Sequence, residues 1–425
     1  MPILQVALDF MVLDRALQVA AEAVKGGADW LEAGTPLIKS EGMEAVRALK
    51  KFRKPIVADL KTMDVGRMEV EMAAKSGASV ITVLALADDE TIRDAVEAAK
   101  KYGAKIMIDL INHPEPVRRG KEVEALGAAY LCVHVGVDQQ MRGESPITIL
   151  RNVSEAVSIP VAAAGGINSE TAAEVVKNGA EIVIVGGAIT KAPDVIDSTK
   201  RIKNAMETGR AVRTQLYKKY GENEIREALS LVSTPNLSDA MHRKNALGNF
   251  IKLGEGKIIG PAFTVRTMDG DWAKTVEAIE RADEGDVIVI DARPGNAAVW
   301  GELATWSCKV KGIAGVVIFG AVRDADEIKK VGVPVYATSV RPNAGEPKGF
   351  GEMNVEITID NVHIRPGDWI VGDESGIVVI PRERAVSIAN RAVDVMEHEN
   401  RVREEIMRGK TLSVVMELEK WEVTR

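Results

Sequence analysis

The sequence has little cysteine, no long apolar segment and no excess of basic residues. Its two cysteines, Cys132 and Cys308, lie in different halves of the chain, which excludes a cysteine metal motif and predicts buried thiols in a reducing compartment. No apolar run approaches the ~20 residues that span a membrane, and residues 1–5 do not resemble a secretion signal. A net charge of −7 argues against a general nucleic-acid binder, because phosphate contact needs a basic surface. We therefore expect a cytoplasmic protein with neither a membrane nor a nucleic-acid partner.

Residues 1–208 alternate short apolar strands with amphipathic helices. The predicted strands are Leu4–Asp9, Asp29–Ala33, Pro55–Asp59, Val80–Ala85, Lys105–Leu110, Ala129–Val135, Pro160–Ala164 and Ile182–Val185. Strands that alternate with helices imply a parallel sheet. Eight such units within this length predict a (β/α)₈ TIM barrel, with an open doubly wound sheet as the alternative.

The pattern changes after residue 208. Residues 209–222 are rich in Lys, Arg, Glu and Tyr and predict a polar, solvated linker, while residues 223–425 predict a second α/β domain with a mixed sheet. Its predicted strands are Ala262–Arg266, Val287–Asp291, Gly315–Phe319, Val335–Ala337, Val355–Ile359, Trp369–Gly372 and Ile377–Ile380, before a helix over Glu383–Arg408. The glycines of residues 254–260 precede a strand rather than a helix, so we predict an inter-strand turn and not a dinucleotide loop.

An acid and a base end the third predicted strand. Asp59 and Lys61 are two residues apart, so on a regular strand their side chains point to the same face. Asp64 follows beyond the predicted strand end. Buried charges are costly unless they pair or bind something, so these residues indicate either an ion pair or a site.

Other polar residues end neighbouring strands, and barrel enzymes carry their chemistry at those C-terminal ends. They are Asp9, Glu32, Asp109 and His134. Glu32 and Asp59 are the candidate ligands for a hard cation such as Mg²⁺, or Mn²⁺ in its place. Lys61 is a candidate to stabilise an enediolate and His134 to carry a proton. We also assign Asp109 to catalysis and Asp9 to substrate binding.

Paired glycines follow the last two strands of the predicted barrel. They are Gly165 and Gly166 after the seventh strand, and Gly186 and Gly187 after the eighth. Glycines let backbone N–H groups approach an anion closely, and these two loops form the usual phosphate site of a barrel. Tight turns without a ligand are the alternative, and the position of both pairs favours a bound sugar phosphate.

The motif Asp59-x-Lys61-x-x-Asp64 matches that of the orotidine-phosphate decarboxylase superfamily. With Val6–Asp9, Glu32–Pro36 and His134–Gln140, residues 1–208 resemble 3-hexulose-6-phosphate synthase. The resemblance implies a lyase of the ribulose monophosphate pathway, which adds formaldehyde to ribulose 5-phosphate with Mg²⁺, or catalyses the reverse cleavage. It also implies a dimer in which Asp64 reaches the partner's site. The related 3-keto-gulonate-6-phosphate decarboxylases tend to carry an Arg shortly after the strand-six His, where this chain has Val137.

Two segments of the second half contain candidate site residues. Gly301–Ala304 lies near a predicted helix N-terminus, and Arg323 and Asp324 follow an apolar strand. Taken alone, each segment is as well explained by a capped helix or a surface ion pair. Together with Glu327, their spacing resembles the class II pyruvate aldolases that cleave 4-hydroxy-4-methyl-2-oxoglutarate and the related regulators of ribonuclease activity A.

This second resemblance implies a role for each residue. Asp324 is the direct metal ligand, Glu302 an indirect one, and Arg323 holds a small keto acid beside the amides of Leu303 and Ala304. A further acid from a neighbouring subunit is expected, with Glu399 as the candidate. The resulting hypothesis is a homo-oligomeric, multifunctional enzyme with a synthase barrel and a second aldolase or decarboxylase domain. The alternative is a keto-gulonate-phosphate decarboxylase barrel joined to a non-catalytic regulator or oligomerisation module.

Overall fold

The computed structural model describes residues 1–214, 217–416 and 418. They form two compact units. The first comprises the described residues of 1–219 together with those from 397 onward, and the second comprises residues 220–396. In this described part of the chain, no helix is both long and apolar enough to cross a membrane.

The first unit is a closed barrel of eight parallel strands, β1 to β8, in sequence order. The strands are Ile3–Leu8, Trp30–Ala33, Ile56–Thr62, Val80–Leu84, Lys105–Asp109, Tyr130–His134, Val161–Ala164 and Ile182–Val185. Helices α1 to α11 are Leu13–Gly26, Thr35–Glu41, Glu44–Leu49, Gly66–Ser76, Asp89–Tyr102, Pro116–Ala125, Val137–Met141, Ile147–Ser154, Ala172–Lys177, Gly187–Thr190 and Val195–Thr208. The predicted TIM barrel and its eight strands are therefore confirmed.

The barrel strands are apolar along their length because both of their faces are buried in the closed barrel. One set of side chains, which includes Val57, Met107 and Cys132, packs inside the barrel. The alternate set packs outward against the helices. Cys132 and Cys308 are both buried and free, as predicted. This packed interior leaves the strand ends as the place where polar side chains gather.

The second unit is built on a mixed sheet, as predicted. Its strands β9 to β20 are Ala246–Leu247, Ile251–Leu253, Ile258–Arg266, Val287–Asp291, Ala298–Trp300, Gly315–Val322, Val335–Val340, Glu352–Met353, Ile357–Ile359, Val362–Ile364, Trp369–Asp373 and Gly376–Ile380. Helices α12 to α18 are Ile225–Leu231, Thr234–Ala240, Ala273–Arg281, Glu302–Lys311, Ala325–Val331, Ala385–Met407 and Leu412–Val415. Strands β11, β12, β14 and β15 are parallel, and β10 and β19 add antiparallel neighbours. Helix α17 runs through the unit boundary, and α18 belongs to the first unit.

Some described residues of the predicted linker, 209–214 and 217–222, are hydrogen-bonded or buried. The Val212 N–H donates to the Ser169 carbonyl at 2.9 Å, and Tyr217 and Tyr220 are buried. The predicted inter-strand turn is confirmed over residues 254–257, which join β10 to β11, whereas residues 258–260 already belong to β11. The structure also shows short strands that were not predicted, β9, β10, β13, β16 and β18.

Candidate active site

Four charged or polar side chains meet at the C-terminal ends of β3, β5 and β6. Lys61 Nζ lies 2.9 Å from Asp59 Oδ2 and 3.2 Å from Asp109 Oδ2. Asp109 Oδ2 also lies 2.9 Å from His134 Nδ1. The structure therefore joins these predicted site residues into one chain of contacts that runs from Asp59 to His134.

The opposite charges in this group stabilise the ionised forms of Lys61 and Asp109. Burial alone lowers the pKa of Lys61, but the Asp59 and Asp109 carboxylates outweigh it and raise that pKa overall. Burial raises the pKa of Asp109, yet the hydrogen bond and charge of His134 and the charge of Lys61 bring it below its usual value. A lysine ammonium is consequently held between two carboxylates at neutral pH.

Strand β3 reaches this geometry through an irregularity, not through plain alternation. Its register with β4 shifts between Ala58 and Thr62, and Lys61 has a left-handed backbone with φ of 49°. The Lys61 N–H then donates to Thr82 Oγ1 at 3.0 Å. The predicted pairing of Asp59 with Lys61 is present, but the simple i, i+2 argument does not describe the backbone that produces it.

Two threonine hydroxyls orient the Asp59 carboxylate. Thr82 Oγ1 donates to Asp59 Oδ1 and Thr35 Oγ1 donates to Asp59 Oδ2, each at 2.7 Å. Asp59 is 5% exposed, so these bonds fix a carboxylate that is almost out of contact with water. Such partners hold a metal ligand in one orientation.

Glu32 lies beside this group in a position that disfavours its ionised form. Burial, followed by the negative charges of Asp59 and Asp9, raises the pKa of Glu32 well above its usual value. Gln5 Nε2 donates to Glu32 Oε2 at 2.6 Å, while the buried Gln5 Oε1 has no hydrogen-bond partner among the described residues. The carboxylates therefore repel one another, and a cation would relieve that repulsion.

Asp9 borders the open mouth of the barrel. Its side chain reaches solvent, yet removal of water by the surrounding protein and the Asp59 charge raise its pKa. Asp9 Oδ2 would lie 3.6 Å from a Cβ placed at Gly186. The predicted substrate-binding acid thus stands between the carboxylate group and the glycine turn after β8.

The glycine turns lie where the sequence predicts them. Gly165 has a φ of 107°, and a Cβ there would come within 2.3 Å of the Val135 carbonyl oxygen, so only glycine fits. Gln140 covers this turn and donates to the Val135 carbonyl at 2.8 Å. A Cβ at Gly187 would meet Tyr217 and Lys191 only at ordinary contact distances. The turn after β7 is therefore close-packed at Gly165, while Gly166 is exposed and the turn after β8 has more room at Gly187.

Asp64 lies apart from the other predicted catalytic residues. It is exposed, and its Oδ1 accepts the Val65 N–H at 2.7 Å. Val65, Met68 and Met72 around it are exposed by 54%, 67% and 44%. Among the described residues, no hydrogen bond or ion pair joins Asp64 to the Asp59 group.

The candidate residues of the second unit also come together. The Glu302 N–H donates to Asp324 Oδ2 at 3.3 Å, and Arg323 Nε lies 3.5 Å from the same oxygen. Trp306 Nε1 donates to Glu302 Oε1 at 2.9 Å. Asp324 has a left-handed backbone with φ of 57°, which turns the chain from β14 into α16.

Three further residues were predicted for this second site. Leu303 is 76% exposed in the first turn of α15, and Ala304 follows it there, partly buried. Glu399 lies in the portion of α17 that belongs to the first unit. The described contacts place Glu302, Arg323 and Asp324 in one group.

Comparison with known proteins identifies the family to which the barrel belongs. Residues 2–202 match the model of the orotidine 5'-phosphate decarboxylase / HUMPS family. The 3-hexulose-6-phosphate synthase of Bacillus subtilis is 40% identical over 209 residues, which are 99% of that protein and 48% of this chain. The chain belongs to the 3-hexulose-6-phosphate synthase family. Its barrel is accordingly a lyase domain of the aldolase type.

Other matches extend the comparison. The 3-hexulose-6-phosphate synthase of Mycobacterium gastri is 38% identical over 205 residues, 99% of that protein and 48% of this chain. The solved 3-hexulose-6-phosphate synthase from Salmonella typhimurium is 35% identical with a TM-score of 0.48, and the match covers all of it and 49% of this chain. Residues 234–379 match the RraA-like family, described as Aldolase/RraA. The chain thus joins a synthase-family barrel to an RraA-like domain.

Sequence reasoning missed several polar residues around the synthase-family site. They are Gln5, Thr35, Thr82, Lys191 and Tyr217. Thr35 begins α2 just after β2, and Thr82 lies in the middle of β4, positions that many structural threonines share. Tyr217 lies outside the barrel strands and helices, so no strand-end rule would find it. Their contacts depend on long-range folding, which local sequence patterns do not report.

Proposed function

We propose that the barrel adds formaldehyde to ribulose 5-phosphate to form 3-hexulose 6-phosphate, and that the same site catalyses the reverse cleavage. The observation that carries the proposal is Lys61, held between Asp59 and Asp109 with His134 on the other side of Asp109. An enediolate needs a cation beside its oxygens and a group that moves a proton. Membership of the synthase family supports the same reaction.

The acid group fits a hard divalent cation, which we propose to be Mg²⁺, with Mn²⁺ as a substitute. Glu32 and Asp59 would hold it, because carboxylate oxygens are the ligands such ions prefer. The raised pKa of Glu32, caused by burial and by Asp59 and Asp9, supports a site with more negative charge than its lysine offsets. When bound, the cation would supply Lewis-acid polarisation of the sugar's oxygens.

Residues of the chain itself transfer the proton, stabilise the enediolate and bind the phosphate. Asp109 engages His134 Nδ1 and fixes the imidazole ring, which leaves Nε2 to exchange a proton with the substrate carbon. Lys61 stays protonated and donates hydrogen bonds to the developing enediolate oxygen. The glycine turns after β7 and β8 would bind the sugar phosphate through their backbone N–H groups.

The test is the condensation assay itself, run in both directions. Full-length protein with Mg²⁺ should consume ribulose 5-phosphate and formaldehyde, and a chelator should stop it. Asp59→Asn should lower kcat by at least about 100-fold, since it removes a proposed metal ligand and a partner of Lys61. Normal turnover by that variant would overturn the metal assignment. Loss of CO₂ from a keto-gulonate phosphate would instead favour the decarboxylase.

We propose that Asp64 works in the site of a second copy of the chain. Its separation from the Asp59 group and the exposed apolar side chains Val65, Met68 and Met72 around it support an interface between barrels. Apolar surface at this density is unusual on a free helix and is typical of protein contacts. The protein would then be a homo-oligomer whose sites are completed in pairs.

For the second unit we propose a metal-dependent lyase that releases pyruvate from a 4-hydroxy-2-oxo acid or decarboxylates oxaloacetate. The Glu302 backbone N–H and the Arg323 guanidinium both contact the Asp324 carboxylate, which offers a metal ligand beside a cation for a substrate carboxylate. The match to the RraA-like family supports this proposal. The full chain should release pyruvate with Mg²⁺, and Asp324→Asn should abolish that release. Absence of pyruvate would favour a binding or regulatory module.

A further inference from the structure

Two side chains that the proposed mechanism does not use flank the glycine turn after β8. A Cβ placed at Gly187 would lie 3.7 Å from Tyr217 Cδ1 and 3.8 Å from Lys191 Cδ. Lys191 follows α10, four residues after Gly187, and helical side chains lean toward the N-terminal end. The aliphatic part of Lys191 therefore runs back beside Gly187, in the turn after β8.

The charge of Lys191 reaches the proposed substrate site. It acts on the Asp9 carboxyl and lowers its pKa, against the raising effects of burial and of Asp59. A phosphate dianion that enters beside Asp9 needs positive charge of its own, and Lys191 is placed to give it.

Tyr217 connects the two glycine turns. Its carbonyl accepts a hydrogen bond from Asn168 Nδ2 at 3.2 Å, and Asn168 Oδ1 accepts the Glu170 N–H at 2.9 Å within the turn after β7. Its ring packs on Gly187 in the turn after β8. One residue from the segment after the barrel thus contacts both proposed phosphate turns.

The backbone of Tyr217 shows that this position is enforced by its surroundings. Its φ is 60°, a left-handed conformation that is uncommon for a bulky residue. The residue is 7% exposed, and its N–H donates to the buried Glu397 carboxylate. Strain that is held by several contacts is a mark of functional positions.

We propose that Lys191 and Tyr217 complete the phosphate subsite of the barrel. Lys191 binds the phosphate dianion of the sugar directly, and Tyr217 is a positioning residue that holds the two glycine turns at a fixed separation. The inference rests on the proposed function, since it needs a phosphorylated substrate. It makes the segment after the barrel a part of the active site.

Replacement of Lys191 tests the binding role. Lys191→Met should raise the KM for ribulose 5-phosphate about 10- to 100-fold, as expected for loss of a hydrogen bond to a charged group. The KM for formaldehyde should stay unchanged, the inhibition constant of inorganic phosphate should rise in parallel, and Lys191→Arg should recover most of the affinity. Lys200→Met, an exposed lysine of α11, is the matched control. Unchanged KM and phosphate inhibition in Lys191→Met would overturn the inference.

Replacement of Tyr217 tests the positioning role. Tyr217→Gly tolerates the left-handed backbone and removes the ring, so the KM for ribulose 5-phosphate should rise about 3- to 10-fold while kcat changes much less. Tyr217→Phe should recover the affinity. A fall in kcat at constant KM would contradict positioning of the phosphate turns. If the variant does not fold, Lys191→Met still decides the inference.

The inference and the proposed function fail in different ways. Calorimetric titration of the wild-type chain with inorganic phosphate needs no turnover. Phosphate binding that weakens in Lys191→Met, without any aldol reaction, would support the subsite and overturn the proposed reaction. Aldol turnover with an unchanged phosphate affinity in Lys191→Met would support the reaction and overturn the subsite. A wild-type chain that binds no phosphate overturns both.

Discussion

Glu32 is the residue at which function and stability oppose each other most clearly. Burial and the charges of Asp59 and Asp9 raise its pKa well above 4.5, its ordinary value. A carboxyl group with a raised pKa in the folded state favours folding below its unfolded pKa, and that contribution is lost as pH rises through the folded pKa. Without a cation, the protein should therefore become less stable as the pH rises from about 4.5.

Glu32→Gln should remove this cost together with the metal site. In chelator at pH 7, we expect the variant to melt higher than the wild type, by about 2–4 °C for each kcal/mol recovered. Added Mg²⁺ should raise the Tm of the wild type and leave that of the variant unchanged. Thermal unfolding with and without Mg²⁺ measures both effects. A variant that melts lower in chelator and still responds to Mg²⁺ would contradict the assignment of Glu32.

Thr82 should act through Asp59 without touching the substrate. It donates to Asp59 Oδ1 and accepts the Lys61 N–H, so its hydroxyl links the metal ligand to the irregular turn of β3. Thr82→Val should weaken the apparent Mg²⁺ affinity by about 10- to 100-fold, as for other partners of metal ligands. Thr82→Ser keeps the hydroxyl and should restore it. An unchanged Mg²⁺ activation curve in Thr82→Val would show that the hydroxyl does not orient Asp59.

The sequence allows prediction of the charged residues of the site but not of their partners. Asp59, Lys61, Asp109 and His134 follow apolar strands, and parallel strands end at one rim, so their convergence is predictable. The Thr82 bond depends on a register shift that no local pattern encodes. The same limit applies to Lys191 and Tyr217, because their contacts join distant parts of the chain.

At the scale of elements, the turn from β3 into α4 contains two residues with left-handed backbones, and each has its own structural consequence. Lys61 and Val65 both adopt left-handed backbones, with φ of 49° and 55°. The first directs Lys61 to Asp59, and the second starts the helix that carries the exposed Met68 and Met72. One short segment therefore supplies both the ion pair that we propose to be catalytic and the apolar surface that we assign to the partner chain.

Subunit mixing tests whether Asp64 belongs to the partner's site. Asp64→Asn and Asp59→Asn should each be nearly inactive alone. When they are unfolded and refolded together, half of the dimers pair one of each, and one of the two sites in such a dimer is intact. Recovery of about a quarter of wild-type activity is therefore expected for a two-fold dimer. No recovery above the separate variants would place Asp64 in its own barrel or outside catalysis.

Strands were more predictable in the barrel than in the second unit. Barrel strands are buried on both faces and read as continuous apolar runs, so all eight were found within a few residues of their ends. Strands β9, β10, β13, β16 and β18 have only two or three residues. So short a segment has no periodicity, and pairing with distant strands decides its structure. The extension of β3 to Thr62 escaped prediction because its charged residues resemble a strand end.

At the scale of the whole molecule, the chain carries two sets of acidic residues in two units. The barrel has Glu32 and Asp59, and the RraA-like domain has Glu302 and Asp324. If each set serves its own reaction, Asp59→Asn should abolish aldol condensation and leave pyruvate release within about twofold. Asp324→Asn should do the opposite, because sites without shared partners behave additively. Loss of both activities in either variant would show that the two units do not act independently.

The most direct test of the central claim is product formation by the full-length wild-type protein. Ribulose 5-phosphate and ¹³C-formaldehyde are incubated with Mg²⁺, and the sugar phosphate product is followed by NMR, with Asp59→Asn as the control. The account predicts that the label enters carbon 1 of 3-hexulose 6-phosphate, and that a chelator or the Asp59 substitution stops its entry. Unchanged ribulose 5-phosphate in the presence of folded, Mg²⁺-supplied protein would contradict it.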